Sequence, residues 1–136
     1  MASIRREAII EASADLVWDA VRDVGQVHKR VAPGFVTDCT MEKGARVVTF
    51  FNGMVARELI VDLDENARRL VWSARSERLE HHNASLQVFD IDGLASCRVV
   101  WIADVLPHPM GRQVGAMMDQ ALVSMRKTLG SHSAAA

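Results

Sequence analysis

Apolar residues recur with the period of a strand in seven segments of this chain and with the period of a helix in two. The order of those segments constrains the fold more than any other feature. One strand comes first, then a short helical stretch, six strands in a row, and one long amphipathic helix. A single helix laid across a strongly curved antiparallel sheet cannot fill the space beneath it with its own side chains. The pattern therefore predicts a cavity between the two layers, and function is expected there.

At 136 residues the chain has room for one core and not two. Sixteen Lys and Arg against seventeen Asp and Glu leave a net charge of -1. That balance argues against nucleic acid, which demands a basic excess or stripe. No apolar run reaches the length of a membrane span, and the N-terminal MASIRREAIIEAS has no apolar core of signal-peptide length. Cys39 and Cys97 fall in separate strand-like segments and read as reduced, buried thiols, so a cytoplasmic location is expected. No Cys/His spacing suits a metal, and no cofactor is expected. Residues 1–130 read as a single domain and 131–136 (SHSAAA) as a disordered tail. The oligomeric state is open between monomer and homodimer.

Ile4–Ala12 reads as the first strand. Ser13 caps a helix that runs to Asp23, with Leu16, Val17, Ala20 and Val21 at helical spacing and Trp18 as a packing anchor. Gly25 ends it, and Gln26–Val31 forms a second short turn. After Pro33-Gly34 the strands follow as Phe35–Met41, Ala45–Phe51, Met54–Leu63, Arg68–Ser76, His81–Asp92 and Ala95–Leu106. Asn52-Gly53 and Asp92-Gly93 are two-residue hairpin signals, because such turns need positive φ. Pro109 opens the final helix, and Gly130 is read as its stop. Its apolar stripe runs through Val114, Met118, Leu122 and Met125, while Gly111 and Gly115 are expected to thin the helix over the cavity.

Strand alternation assigns faces. Cys97, Val99, Trp101, Ala103 and Val105 form a wholly apolar phase that should face the helix. A two-residue Asp92-Gly93 turn sets Val88 opposite Cys97 and Leu86 opposite Val99, which carries Ala84 and His82 inward. The same register sets His81 beside Asp104 on the outer face. In the segment Met54–Leu63 the more apolar phase is Val55, Arg57, Leu59, Val61 and Leu63, so Arg57 is expected inward. Leu70, Trp72 and Ala74 face in on the next strand, and Val48 and Phe50 on the one before.

With this order of elements, IEASADLVWDAVRDV, ARELIVDLDENARRLVWS and SCRVVWIADVLP resemble the START/birch-pollen-allergen (SRPBCC) superfamily. Within it the chain looks most like the bacterial polyketide cyclase/dehydrase-like branch, over Ile4 to Leu129. The resemblance implies an α+β helix-grip fold. In that fold a seven-stranded antiparallel sheet wraps around the long C-terminal helix, and two short helices follow the first strand. It also implies a cavity for a hydrophobic small molecule. The superfamily includes lipid carriers, hormone receptors, cyclases and chaperone activators, so the fold does not settle function. The chain contains no tyrosine, which sets it apart from any mechanism built on one.

The expected ligand site is bordered by Phe50, Met54, Arg57, Trp72, His82, Trp101 and Met118. Arg57 would hold an anionic head group, or else pair with Glu42 or Glu58. His82 would be a general acid or base or a polar anchor, or else a histidine satisfied at the sheet rim. His81 and His82 point to opposite faces and cannot share a metal ion. Three functions stay open. One is binding of a small lipid-, polyketide- or aromatic-like molecule, the second is a polyketide cyclase or dehydratase, and the third is an interaction module with a filled interior.

Overall fold

The computed structural model describes residues 2–91 and 95–135, with side chains as far as residue 130. Strand β1 (Ala2–Ile10) leads into helix α1 (Ala14–Arg22), whose first turn is capped by Ser13 Oγ accepting from Leu16 N–H at 3.2 Å. Trp18 is buried beneath α1, and its indole N–H donates to Glu65 at 2.8 Å. A tight 3-10 turn (Val24–Gln26) and a π-helical turn (Val27–Val31) close one end. The meander follows as β2 (Val36–Glu42), β3 (Ala45–Phe50), β4 (Val55–Asp64), β5 (Arg69–Arg75), β6 (His81–Asp90) and β7 (Cys97–Leu106). Helix α2 (Met110–Ala135) completes the helix-grip fold. The spatial order is β1-β7-β6-β5-β4-β3-β2, with every neighbour antiparallel.

α2 inserts Val114, Met118, Leu122, Met125 and Leu129 into the core. It continues through Gly130, which is not its stop. Gly111 and Gly115 face β1 and do not thin the helix over the cavity. A Cβ at Gly111 would lie 2.5 Å from Ala2 Cβ, and one at Gly115 would lie 2.7 Å from Arg6 Nη2. The two glycines let the helix approach the edge strand, where Arg6 Nε donates to Asp119 at 2.7 Å. No described helix is long and apolar enough to cross a membrane.

Two hairpins depart from the expected registers, with opposite consequences. The loop between β3 and β4 has three residues, Phe51-Asn52-Gly53. Phe50 N–H donates to Met54 O at 2.8 Å, Gly53 N–H donates to Phe50 O at 2.9 Å, and Gly53 adopts φ +84°. Asn52 Oδ1 accepts from Met54 N–H at 3.1 Å. A three-residue hairpin with glycine at the left-handed position is a standard alternative to the two-residue turn. The extra residue slips the register by one and turns β4 over. Val48 therefore faces Ala56, and Arg46 faces Glu58. Further along, the register shifts again between Ile60 and Asp62, with Val61 left 53% exposed and Leu63 returned inward opposite Leu70. The apolar phase that pointed Arg57 inward is thus two half-strands joined at a bulge.

Between β6 and β7 the slip is two residues. Val88 pairs with Val99 and Leu86 with Trp101, across a connection spanning 91–96. The Asp92-Gly93 turn itself lies outside the described residues. An even slip preserves faces, so His82, Ala84, Leu86 and Trp101 still point inward. It does separate His81 from Asp104. His81 lies opposite Leu106 and Asp104 opposite Asn83, and Asp104 accepts from Ser3 Oγ at 2.6 Å.

Candidate functional site

Between the concave sheet, α2 and the π-helical turn lies a cavity of about 140 Å³. Its wall is overwhelmingly apolar. Six of the expected residues, Phe50, Met54, Trp72, His82, Trp101 and Met118, line it. Strands supply most of these from one phase: Phe50 follows Val48 on β3, Trp72 follows Leu70 on β5, and Trp101 sits opposite Leu86. Trp72 and Trp101 touch with ring centroids 6.0 Å apart, and Met118 comes down from α2.

Arg57 does not belong to the site. The three-residue turn places it on the outer face, where its side chain is 47% exposed and its Nε donates to Glu42 at 2.9 Å. Glu42 was one of the two partners anticipated for it. An exposed ion pair of this kind contributes little. Arg57→Ala is expected to change stability by about 0.5 kcal/mol or less in urea denaturation. A loss several times larger would place Arg57 in the core after all.

The buried cation is Arg46. Its Nε donates to Glu58 Oε1 at 2.7 Å, and the two side chains are only 6% and 10% exposed. Nη1 donates to Val24 O at 3.1 Å, and the guanidinium lies 5.6 Å from the centroid of the Trp72 ring. The two residues are directly opposed on β3 and β4, so the backbone register itself brings the charges together. Both line the cavity. Alternation from Val48 and Phe50 already points Arg46 inward, and that signal in the sequence was available. Glu58 could not be placed without the true turn length.

Three further polar atoms are buried in the wall: Ser76 Oγ, His82 Nδ1 and Trp101 Nε1. None has a hydrogen-bond partner among the described residues. Burial lowers the His82 pKa from the usual histidine value, the nearby Glu58 charge and a hydrogen bond with the backbone of His82 itself oppose that shift, and His81 adds to the lowering. His82 is accordingly neutral at neutral pH. Because the folded pKa lies below the unfolded one, the unfolded chain takes up the proton first as pH falls. The stability associated with neutral His82 is complete above about pH 6.5 and is lost on acidification toward the folded pKa. His82→Gln should therefore flatten the stability-against-pH curve below pH 6.5, measured by chemical denaturation. An unchanged slope would mean that His82 is as hydrated in the fold as out of it. Cys97 takes no part in this wall. It is fully buried under β7, and burial, with the Asp90 carboxylate adding, pushes its thiol up to about 11. Such a thiol is not a nucleophile at neutral pH.

The family model described as polyketide cyclase/dehydrase and lipid transport matches residues 1–131. The chain belongs to that family. Its fold recurs in solved structures of this START-like group. An uncharacterised protein of Bacillus thuringiensis superposes with a TM-score of 0.85 at 12% identity, covering 94% of this chain and 98% of that one. A Thermobifida fusca protein shares 26% identity with a TM-score of 0.75, covering 99% and 95%. A START superfamily protein of Mycobacterium smegmatis gives 0.72 at 14% identity, covering 98% and 97%. None of the curated proteins matches the sequence. The sheet and the long helix are thus arranged as in those structures.

Proposed function

We propose that the protein binds a small, predominantly apolar molecule between sheet and helix, as a carrier or sensor. One observation carries this reading: an overwhelmingly apolar wall bounds about 140 Å³ that the protein's own side chains do not fill. The cavity of about 140 Å³ is close in size to an engineered cavity of about 150 Å³ that takes up benzene. An interior filled by its own side chains would instead have favoured the interaction module. The reduced thiols Cys39 and Cys97 suit an intracellular setting.

A second reading follows from His82. A neutral imidazole on the cavity wall has the chemistry to take up and return a proton, as a cyclase or dehydratase requires. Tryptophan fluorescence tests both readings, because Trp72 and Trp101 line the cavity. Titration with single-ring aromatics, short acyl compounds and polyketide mimics should give a saturable change and a raised melting temperature for at least one class. No response from any class would end both readings. Mass spectrometry of the recovered compound then separates them, since a carrier returns it unchanged.

A further inference from the structure

Among the described residues that line the cavity, the charged side chains are Arg46 and Glu58, and each is committed to the other. Arg46 Nε donates to Glu58 Oε1 at 2.7 Å, and Nη1 donates to Val24 O at 3.1 Å. The guanidinium lies 5.6 Å from the centroid of the Trp72 ring, and Trp72 is itself part of the wall. Arg46 and Glu58 are directly opposed on the paired strands β3 and β4, so the sheet itself holds them at pairing distance. His82, the titratable group elsewhere on this wall, is neutral at neutral pH and supplies no cation.

This closed pair decides which charge the cavity tolerates. A carboxylate that enters loses its water and meets no free cation. To gain one it has to take Arg46 from Glu58, which leaves Glu58 buried and alone. An ammonium has to take Glu58 from Arg46 and leaves the mirror-image charge. An uncharged molecule leaves the pair as it stands. Glu58 thus plays, from within the fold, the part that an anionic head group would otherwise take against Arg46. The volume of about 140 Å³ limits the occupant to about one ring.

We infer that Glu58 is a specificity-determining residue: by neutralising Arg46 from inside the fold, it makes the cavity select uncharged molecules of about one ring and shut out carboxylates of the same shape. This rests on the binding reading above and adds the class of ligand and the residue that sets it. Glu58, and not the surface residue Arg57, then governs the response to an anionic head group.

The test uses toluene and benzoate, two probes of one ring and nearly equal shape. Each is titrated into the full chain and followed by two-dimensional NMR through the indole signals of Trp72 and Trp101, assigned from their loss in the Trp→Phe variants. Near pH 7 toluene is expected to bind about tenfold or more tightly than benzoate. Glu58→Gln keeps the shape of the side chain and an acceptor for Arg46 but removes the charge. It should raise benzoate affinity about tenfold or more and change toluene affinity by no more than about twofold. Adding Arg46→Met to Glu58→Gln should abolish that gain. If Glu58→Gln does not fold, the wild-type protein decides the matter through the probe's own titration. Lowering the pH from 7 to 6 raises the uncharged fraction of benzoic acid about tenfold, because such carboxyl groups titrate near pH 4. Apparent benzoate affinity should rise by that factor relative to toluene, whose binding at the same two pH values accounts for any change in the wall, His82 included. Benzoate binding the wild-type protein as tightly as toluene near pH 7 overturns the exclusion of anions. An unchanged benzoate-to-toluene ratio in Glu58→Gln, or in the wild-type protein between the two pH values, overturns it as well. In each of these results the cavity still binds, and the proposed function survives. Absence of toluene from the cavity at millimolar concentration overturns the ligand class. It removes the proposed function too if the wider fluorescence panel is also silent.

Discussion

Glu58→Ala is expected to destabilise the protein by about 3–5 kcal/mol, and Arg46→Ala by a similar amount, because each leaves the other charge buried and alone. That is a large share of the roughly 5–15 kcal/mol that holds a domain of this kind together. The pair is buried in the wall of the cavity, with 6% and 10% of the two side chains exposed. The double replacement Arg46→Met with Glu58→Leu removes both charges and fills the same volume. It should recover most of the stability, so that the double loss falls well below the sum of the single losses. Denaturant unfolding of the four proteins measures this directly. Additive losses would mean that the two charges do not depend on one another, and the assignment of β3 opposite β4 would then be in error.

Trp72→Ala is expected to cost about 3–5 kcal/mol, near the upper range for truncating a core aromatic. Trp72 is almost fully buried, stands between Ile60 and Ala84 in the sheet, touches the Trp101 ring and lies against the Arg46 guanidinium. Trp101→Ala should cost distinctly less, although the two indoles are the same size. Trp101 is only half-buried and already borders empty space. Truncating it enlarges an existing cavity and removes fewer contacts. Thermal and urea unfolding of the two variants give the comparison. A larger loss at Trp101 than at Trp72 would show that the space beside Trp101 is closed in solution.

The legibility of the site in the sequence follows from the same geometry. Trp72, Trp101 and Met118 could be placed from alternation and helical spacing, His82 from a hairpin register whose two-residue error keeps faces, and Phe50 from the Asn52-Gly53 turn, where a one-residue error in register and the wrong face of β4 cancelled. β4 is different. Its apolar residues Leu59, Val61 and Leu63 keep strict alternation in the sequence, yet the bulge at Val61 divides them between two faces. The more hydrophobic phase therefore named the wrong side, and Arg57 was expected where Glu58 stands. Ser76 is next in the inward phase of Leu70, Trp72 and Ala74, so its side was legible, although it was not singled out; in the structure it lies just past the end of β5, bridged to Leu79.

What the sequence determined by itself was the number, kind and order of the elements and the face that α2 turns to the sheet, which follow from local periodicity and turn residues acting over a few positions; the family came from the resemblance of whole segments. Only the tertiary structure decided which polar groups share the cavity, because that depends on the parity of two registers. A two-residue slip between β6 and β7 left His82 and Trp101 facing inward. A one-residue slip between β3 and β4 exchanged Arg57 for Glu58 and joined Glu58 to Arg46. Asn-Gly announces a turn in either case. Whether that turn holds two residues or three is settled by which side chains the closed core will accept, and burial of Arg46 and Glu58 as a pair is compatible with only one of them.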